Sequence, residues 1–309
     1  MAGGQERILR RRIRSVNATK KITRAMELIA ASRIVKAQAR VHAAQPYAEG
    51  ITQVVQHLMG TASGASNPLL TPRPEIRRVA QVVLTADRGL CGGYNASVIR
   101  AAEAQARMHR DDGRDVALVT VGRKAESHYR FRGHAIDKSF TGFTDNPSYE
   151  NARAIGASVA TRFELEELDL VELVYTRFVS AGRQEVVVRP LLPLDTEDFE
   201  AEPGEAGDYE FEPDPEIILA TLLPRYAEAR VYAALLNAAA SEHAARQRAM
   251  KAATDNAEEL ILTYTRRMNR ARQDSITTEI MEIVGGAEAL SQSASSELDE
   301  AGEYYDKSA

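Results

Sequence analysis

The sequence predicts two long helices that pair antiparallel as a coiled coil and carry an open α/β sheet domain inserted between them. Two observations support this fold class. Apolar residues recur at helical spacing near both ends of the chain, and the middle alternates short apolar runs with helix-like segments. Because a recurrence every three or four residues indicates helix and short apolar runs indicate buried strands, the ends and the middle form different structures.

Residues 1–60 are predicted to form the N-terminal helix, and Pro46 marks a point where it bends or is interrupted. The faces outside its apolar stripe are basic, and residues 5–40 hold eleven Lys or Arg against two Glu. Such charge attracts nucleic acid, a membrane or an acidic protein surface, but the lack of an aromatic residue before Tyr47 disfavours single-stranded nucleic acid. The predicted stripe consists of Leu9, Ile13, Val16, Ile22, Met26, Ile29, Ile34, Ala37, Val41 and Ala44, and it resumes at Ile51.

The central domain is predicted over residues 78–194, after a linker at 61–77. Its strands are the runs VAQVVLTA, DVALVTVG, LDLVELVYTRFV and VVVRPLLPL, with a further short strand near 134–140 and helical segments between them. This alternation predicts an open Rossmann-like sheet. Eleven acids without a base follow at 195–216, so residues 195–215 are predicted to be a solvated linker.

The C-terminal helix, predicted for residues 216–290, carries a heptad seam. Alternate steps of three and four from Leu219 reach Ala271 through mainly apolar residues, and the seam shifts by one position at Ile276. A repeat of 3.5 residues predicts a left-handed supercoil with a partner, which the N-terminal helix supplies. The helix would measure about 110 Å at 1.5 Å per residue. Residues 291–309 are polar and acidic, and they are predicted to form a disordered tail.

Composition excludes several classes of protein. A single cysteine, Cys91, allows no internal disulfide and no cysteine-based metal cluster. No stretch approaches the roughly 18 consecutive apolar residues of a membrane span, and the charged N-terminal stretch disfavours a secretory signal. The sequence therefore predicts a soluble intracellular protein without a membrane span of its own.

The stretch TADRGLCGGYN lies between a predicted strand and a predicted helix, which is the setting of nucleotide-binding loops. Its letters fit neither G-x-G-x-x-G nor G-x-x-x-x-G-K-[ST], and no acid stands where a ribose partner would follow. We therefore expect no cofactor here, with turn contacts from Asp87 and Arg88. The glycines predicted to permit a sharp structural turn are Gly89, Gly92 and Gly93.

Cys91 in this loop raises the alternative of a thiol nucleophile with His109, His128 or His134 as its base. No recognised signature accompanies these residues, so a small buried thiol is the favoured interpretation and no catalytic group is assigned. His243 on the heptad seam is predicted to make an interhelical polar contact. It lacks a second histidine or acid at the spacing of a metal pair, so no metal site is expected.

Four separate segments resemble the gamma subunits of bacterial-type F-type ATP synthases. They are RIRSVNATKKITRAMELIAASRIVKAQ (12–38), DRGLCGGYN (87–95), SEHAARQRAMKAATDNAEELI (241–261) and NRARQDSITTEIMEIVGGAEAL (269–290). The resemblance is dispersed, in the family's order, over about residues 1–290. It implies the family's fold, an antiparallel coiled coil that carries an α/β domain.

This resemblance implies a central rotor shaft rather than a catalytic subunit. Proton flow would turn the c-ring and the shaft, and the shaft would drive the catalytic beta subunits of the alpha and beta ring through open and closed states. The implied partners are alpha, beta, epsilon and the membrane c-ring, at the cytoplasmic face of the cell membrane. The residues that match the family's contacts with beta are Lys20, Lys21, Arg24, Met26, Arg272 and Gln273.

Two other functions stay open from the residues alone. A nucleotide-dependent α/β enzyme would need the glycine loop at 87–95 to bind its ligand. A coiled-coil adaptor would use the same helices without joining an ATPase ring. Residues 291–309 also continue past the point where family members commonly stop, which suggests a regulatory contact as a hypothesis.

Overall fold

The computed structural model describes residues 2–61, 67–194 and 214–306. Long helices from both ends of the chain accompany a central α/β sheet, so the predicted fold class is confirmed. In chain order the elements are α1 (Ala2–Thr61), β1 (Arg78–Leu84), α2 (Tyr94–Asp111), β2 (Asp115–Val121), α3 (Arg123–Phe131), β3 (Lys138–Phe140), α4 (Tyr149–Glu164), β4 (Leu170–Phe178), β5 (Gln184–Leu192) and α5 (Pro215–Asp306).

The chain forms two compact units. We call Met1–Arg24 together with Ala252–Ala309 the helical unit, and Ala25–Lys251 the sheet unit. The helical unit combines the start of α1 with the later part of α5, while the sheet unit contains strands β1 to β5. The predicted acidic linker lies outside the described residues from 195 to 213.

The sheet of the sheet unit has the strand order β3-β2-β1-β4-β5. The β1–β2, β1–β4 and β2–β3 pairs are parallel, and β5 closes one edge antiparallel to β4. Helices connect the parallel strands, as such crossovers require. The glycine loop follows β1 directly, so it lies at the carboxyl edge of a central strand.

Alternating strand residues build a core on each face of this sheet. Val83 and Val174 pack in a cluster with residues of α2 and α3. Val82 and Leu173 pack in a second cluster with α4 and with the parts of α1 and α5 that belong to the sheet unit. Since side chains alternate between faces along a strand, both faces of the sheet are covered.

The apolar stripe predicted on α1 is wrong at two positions. Ile22 and Ile29 are 61% and 55% exposed, whereas the next residues, Thr23 and Ala30, are buried. The buried positions keep heptad spacing, and a threonine fills one of them because its hydroxyl finds a partner. Pro46 does not interrupt α1, which is helical on both sides of it.

Along α5, the predicted seam from Leu219 to Ala271 is confirmed, since each of its residues is buried or half-buried. Beyond it the prediction is wrong, because Ile276 and the apolar residues that follow are exposed. The segment predicted to be disordered, 291–309, also differs: helix α5 continues to Asp306, and only 307–309 lie outside the described residues. Residues 291–306 contain no proline and several strong helix formers, which suits continuation of the helix.

Candidate functional site

Two contacts pair the helices of the helical unit. The hydroxyls of Thr23 on α1 and Thr254 on α5 are hydrogen-bonded at 2.8 Å, and Lys20 Nζ lies 2.8 Å from a carboxylate oxygen of Glu258. Residue numbers fall along one helix as they rise along the other, so the pairing is antiparallel. The hydrogen bond from Lys20 is the main reason that the pKa of Glu258 is lowered.

Five of the six predicted partner contacts belong to this unit. Lys21, Arg24, Arg272 and Gln273 are exposed, and a partner could reach each of them. Lys20 differs, because it is half-buried and joins the two helices through Glu258. Any partner that binds Lys20 would compete with that ion pair.

Residues 276–290 of α5 present an exposed apolar surface that the sequence interpretation missed. If the Thr23–Thr254 pair sets the register, the first residue of α1 falls opposite Ser275, and α5 continues beyond it. We call residues 276–290 the apolar overhang. Its large apolar side chains are between 48% and 73% exposed, and they are Ile276, Ile280, Met281, Ile283, Val284 and Leu290. A contiguous group of exposed large apolar side chains marks an interaction site.

In the sheet unit, Asp87 organises the glycine loop. Its carboxylate accepts hydrogen bonds from the backbone N–H groups of Arg123, Gly142 and Thr144 and from the Thr144 hydroxyl. Burial raises the pKa of Asp87, but these hydrogen bonds more than offset it, and the pKa lies below its ordinary value. A carboxylate therefore takes the donors that a phosphate would need, which argues against the nucleotide-binding alternative.

The loop reverses direction through two residues of positive φ. Gly92 has φ +58°, and Leu90 has φ +63° although it carries a side chain. Gly93 stands at the N-cap of α2, and a Cβ on Gly89 would lie 3.7 Å from the Lys124 side chain. Leu90 is 61% exposed, so the loop displays an apolar side chain on an uncommon backbone conformation.

The thiol of Cys91 is buried beneath this loop, with the Asn95 amide 3.0 Å from its sulfur, and burial raises the pKa of the thiol. The three candidate bases have other contacts. His109 bonds the Glu172 carboxylate at 3.0 Å, and His128 bonds Glu103 at 2.8 Å. The His134 ring packs edge-on against Tyr129. These contacts of the three histidines do not include the thiol, so the structure gives no support to a cysteine–histidine pair.

The sixth predicted contact, Met26, is a half-buried residue of the sheet unit. It lines a cavity of about 230 Å³ together with Leu90, Arg88 and His243. His243 bonds the backbone oxygen of Asp145 at 3.1 Å, so its contact is to a loop and not to another helix as predicted. Burial is the largest cause of the lowered pKa of His243.

A buried ion pair on α5 was also missed. Glu242 and Arg246 are 2.6 Å apart, one helical turn from each other, and both are buried. A Glu and an Arg at i, i+4 usually form an exposed pair, so only the alanine-rich surroundings of this pair signalled burial in the sequence. Neither a metal site nor a membrane span is found among the described residues. No three or more His, Cys, Asp or Glu side chains among them are grouped so that they could hold a metal ion. None of the described helices combines the length and the hydropathy that a membrane span needs.

Comparison with known proteins gives a consistent result. A family model described as ATP synthase matches residues 5–290. The ATP synthase gamma chain of Parafrankia sp. is 52% identical over 297 residues, which cover 94% of this chain and 99% of the relative. The gamma chain of Acidothermus cellulolyticus is 53% identical over 294 residues, covering 93% and 98%.

Solved structures agree in fold. A chain of the central stalk and c-ring structure of Tetrahymena thermophila mitochondrial ATP synthase has a TM-score of 0.59 and 26% identity, covering 75% of this chain and 99% of its own length. A chain of the Euglena gracilis mitochondrial ATP synthase has a TM-score of 0.61 at 18% identity, covering 93% and 95%, and this likeness concerns the fold alone.

Proposed function

We propose, from the premise that the chain belongs to the family of ATP synthase gamma chains, that it works as the central rotor shaft of an F1Fo ATP synthase. The observation that carries this proposal is the apolar overhang at the end of a paired helix. A free chain gains nothing from six exposed large apolar side chains, whereas a shaft seated in a ring of other subunits would bury them.

The chain is a subunit of the ATP synthase complex, and we assign it no catalytic residue. Rotation of the c-ring, driven by protons, would turn the shaft inside the ring of alpha and beta subunits. An asymmetric shaft favours a different state in each catalytic beta subunit, so the coupling is mechanical. The small seam residues of the helical unit, such as Ala257 and Ala271, let the two helix axes approach closely and stiffen the pair.

The proposed contacts with the beta subunits are the exposed Lys21, Arg24, Arg272 and Gln273, with Lys20 and Met26 as two less exposed members of the set. Exposed charges suit a sliding contact, since a surface ion pair contributes only about 0–1 kcal/mol and is easily broken and reformed. Three of these six side chains carry a positive charge on α1, which suits acidic partner segments.

The complex is associated with a membrane, and the chain reaches the membrane through its partners. We place it at the cytoplasmic face of the cell membrane, in contact with the c-ring and the epsilon subunit. The sheet unit is the part that we assign to the epsilon contact, with the glycine loop as a structural turn and no cofactor.

The first test is co-expression of the alpha and beta subunits of the same complex with and without this chain. Native mass spectrometry and sustained ATP hydrolysis are then measured. We expect one copy of the chain to join the ring of alpha and beta subunits and to sustain turnover. If the chain stays apart and hydrolysis is indifferent to it, the helices belong to an adaptor and the proposal fails.

A further inference from the structure

A buried ion pair joins α5 to the glycine loop of the sheet unit. Glu242 and Arg246 have side chains only 2% and 10% exposed, and their charged atoms are 2.6 Å apart. The same Arg246 nitrogen, Nη2, lies 3.3 Å from the carbonyl oxygen of Gly89 and donates a hydrogen bond to it. One guanidinium therefore bridges a carboxylate on its own helix and the backbone of the loop.

The loop is also fixed at both of its ends. Near the β1 end, Asp87 accepts the hydrogen bonds from Arg123, Gly142 and Thr144. At the α2 end, the Tyr94 hydroxyl donates to the Ala238 carbonyl oxygen of α5 at 3.2 Å. The Gly89 carbonyl lies between these two anchors, immediately before the exposed Leu90.

The backbone conformation of Leu90 indicates what the hydrogen bond from Arg246 to the Gly89 carbonyl does. A non-glycine residue at φ +63° is strained and persists only where its surroundings hold it. The conformation brings no burial in return, because the Leu90 side chain is 61% exposed. The surroundings that hold it include the hydrogen bond to the preceding residue from Arg246.

The burial of an ion pair carries an unfavourable desolvation free energy. Two charges lose their hydration, and well-packed apolar side chains of similar volume often stabilise a protein as much or more. Buried alanines flank the pair along α5, among them Ala239 and Ala244. What the guanidinium adds is direction, since its N–H fork is planar and aims a donor at the loop carbonyl.

We propose that Glu242 and Arg246 are positioning residues that lock the loop at 87–93 onto α5, so that Leu90 is held in its displayed position while α5 transmits torque. Glu242 orients the guanidinium, and Arg246 holds the Gly89 carbonyl. This inference rests on the proposed shaft function for its effect on coupling, but the state of the loop can be measured independently of that function.

Cys91 provides the measurement, because it is the only cysteine of the chain and is buried two residues after Gly89. The assembled ATP synthase is treated with a maleimide, and the labelling rate of Cys91 is followed by mass spectrometry of this subunit. The rate is recorded over a range of pH, because burial and Glu242 raise the pKa of the thiol and Arg246 lowers it, and the rates are compared at equal thiolate fraction. Three variants are compared with the unaltered chain: Glu242→Gln, Arg246→Lys, and the double change of Glu242→Met with Arg246→Met. In the same preparations, the ratio of protons pumped to ATP hydrolysed is recorded.

The double variant distinguishes a role of the pair in holding the loop from a role in filling space alone. It keeps the volume and removes both charges, so the complex should assemble, yet the loop loses its donor. We expect its Cys91 labelling rate to rise about tenfold as the loop opens locally, and its pumping ratio to fall by roughly half through loss of the positioned loop. Arg246→Lys keeps one donor and should show smaller changes in both quantities. Glu242→Gln should resemble the double variant in direction.

A matched control pair lies on α3, where Glu126 and Arg130 have the same spacing and a similar distance of 2.8 Å but are more exposed. Glu126→Gln should leave labelling and pumping unchanged. If the double variant labels and pumps like the unaltered complex, the lock is refuted, and Arg246→Lys decides the matter if the others do not assemble. If the unaltered complex hydrolyses ATP without pumping, the shaft proposal fails instead, and the labelling rates still decide the lock.

Discussion

The sheet unit and the helical unit differ in where their apolar side chains go. In the sheet unit, apolar residues of the strands meet helices on both faces, and large side chains such as Phe163 and Leu223 are fully buried. In the helical unit, two helices share a narrow seam, and the overhang keeps its large apolar residues exposed. The core of the sheet unit buries large apolar side chains against its own helices, whereas the overhang leaves a group of them for a partner. Four predictions test this difference, beginning with the largest expected effect.

Removal of a large apolar side chain should destabilise the isolated full-length chain in the core of the sheet unit but not in the apolar overhang. Phe163→Ala creates a cavity in the core between the sheet and α4, and we expect a loss of about 3–5 kcal/mol in the free energy of unfolding. The matched change in the overhang, Ile283→Ala, should stay within about 0.5 kcal/mol because that side chain is 71% exposed. Denaturant unfolding followed by circular dichroism measures both. Equal losses would contradict the contrast between the units.

The sheet unit should also be the region that is sensitive to acid. The pKa of Asp87 is lowered in the folded chain, so its stabilising effect is complete above the ordinary carboxyl pKa and is lost as pH falls below about 4. Asp87→Asn should cost about 2 kcal/mol at neutral pH, because an amide leaves some of the loop donors unpaired. The cost should shrink on acidification, since the unaltered chain then loses the same interactions.

Urea midpoints at pH 7 and pH 3.5 measure this difference. The control is Glu258→Gln in the helical unit, where the carboxylate is exposed and its pKa is lowered chiefly by the hydrogen bond from Lys20. It should show little change at either pH. A gap between the unaltered chain and Asp87→Asn that is the same at both pH values would contradict the assignment.

The sequence predicted the features that depend on local spacing and missed those that depend on contacts between residues far apart in the chain. The α5 seam was found because its alanines and leucines follow a strict heptad spacing. The α1 stripe was shifted to Ile22 because hydrophobicity alone cannot identify a buried Thr23 whose hydroxyl is satisfied by Thr254. The letters of the glycine loop match no nucleotide motif, but the role of Asp87 could not be predicted from them. It depends on N–H groups of the loop that follows β3, whose position only the fold defines.

The Thr23–Thr254 pair gives the third prediction, which concerns the seam of the helical unit. Thr23→Val removes the hydrogen bond between the two buried hydroxyls and should cost about 1 kcal/mol. Adding Thr254→Val should recover much of that loss, since two apolar groups of the same shape then meet. Hydrogen exchange of the amides around residue 254 measures both variants. A double variant whose loss is the sum of the two single losses would show that the hydroxyls do not act as a pair.

The smallest effect on stability should accompany a large effect on function. Arg272 and Gln273 are exposed beside the buried Ala271, so Arg272→Ala with Gln273→Ala removes little packing and should change the free energy of unfolding by less than about 0.5 kcal/mol. In the assembled enzyme, the same double variant should lower coupled ATP turnover by about tenfold if both side chains hold a beta subunit at the cost of roughly 1.4 kcal/mol. The control, Arg130→Ala on α3, is exposed on the sheet unit and should alter neither quantity. Unchanged turnover in the double variant would show that neither side chain holds a beta subunit, and the contact would then have to come from other surfaces of the helical unit, such as the apolar overhang or the basic side chains of α1.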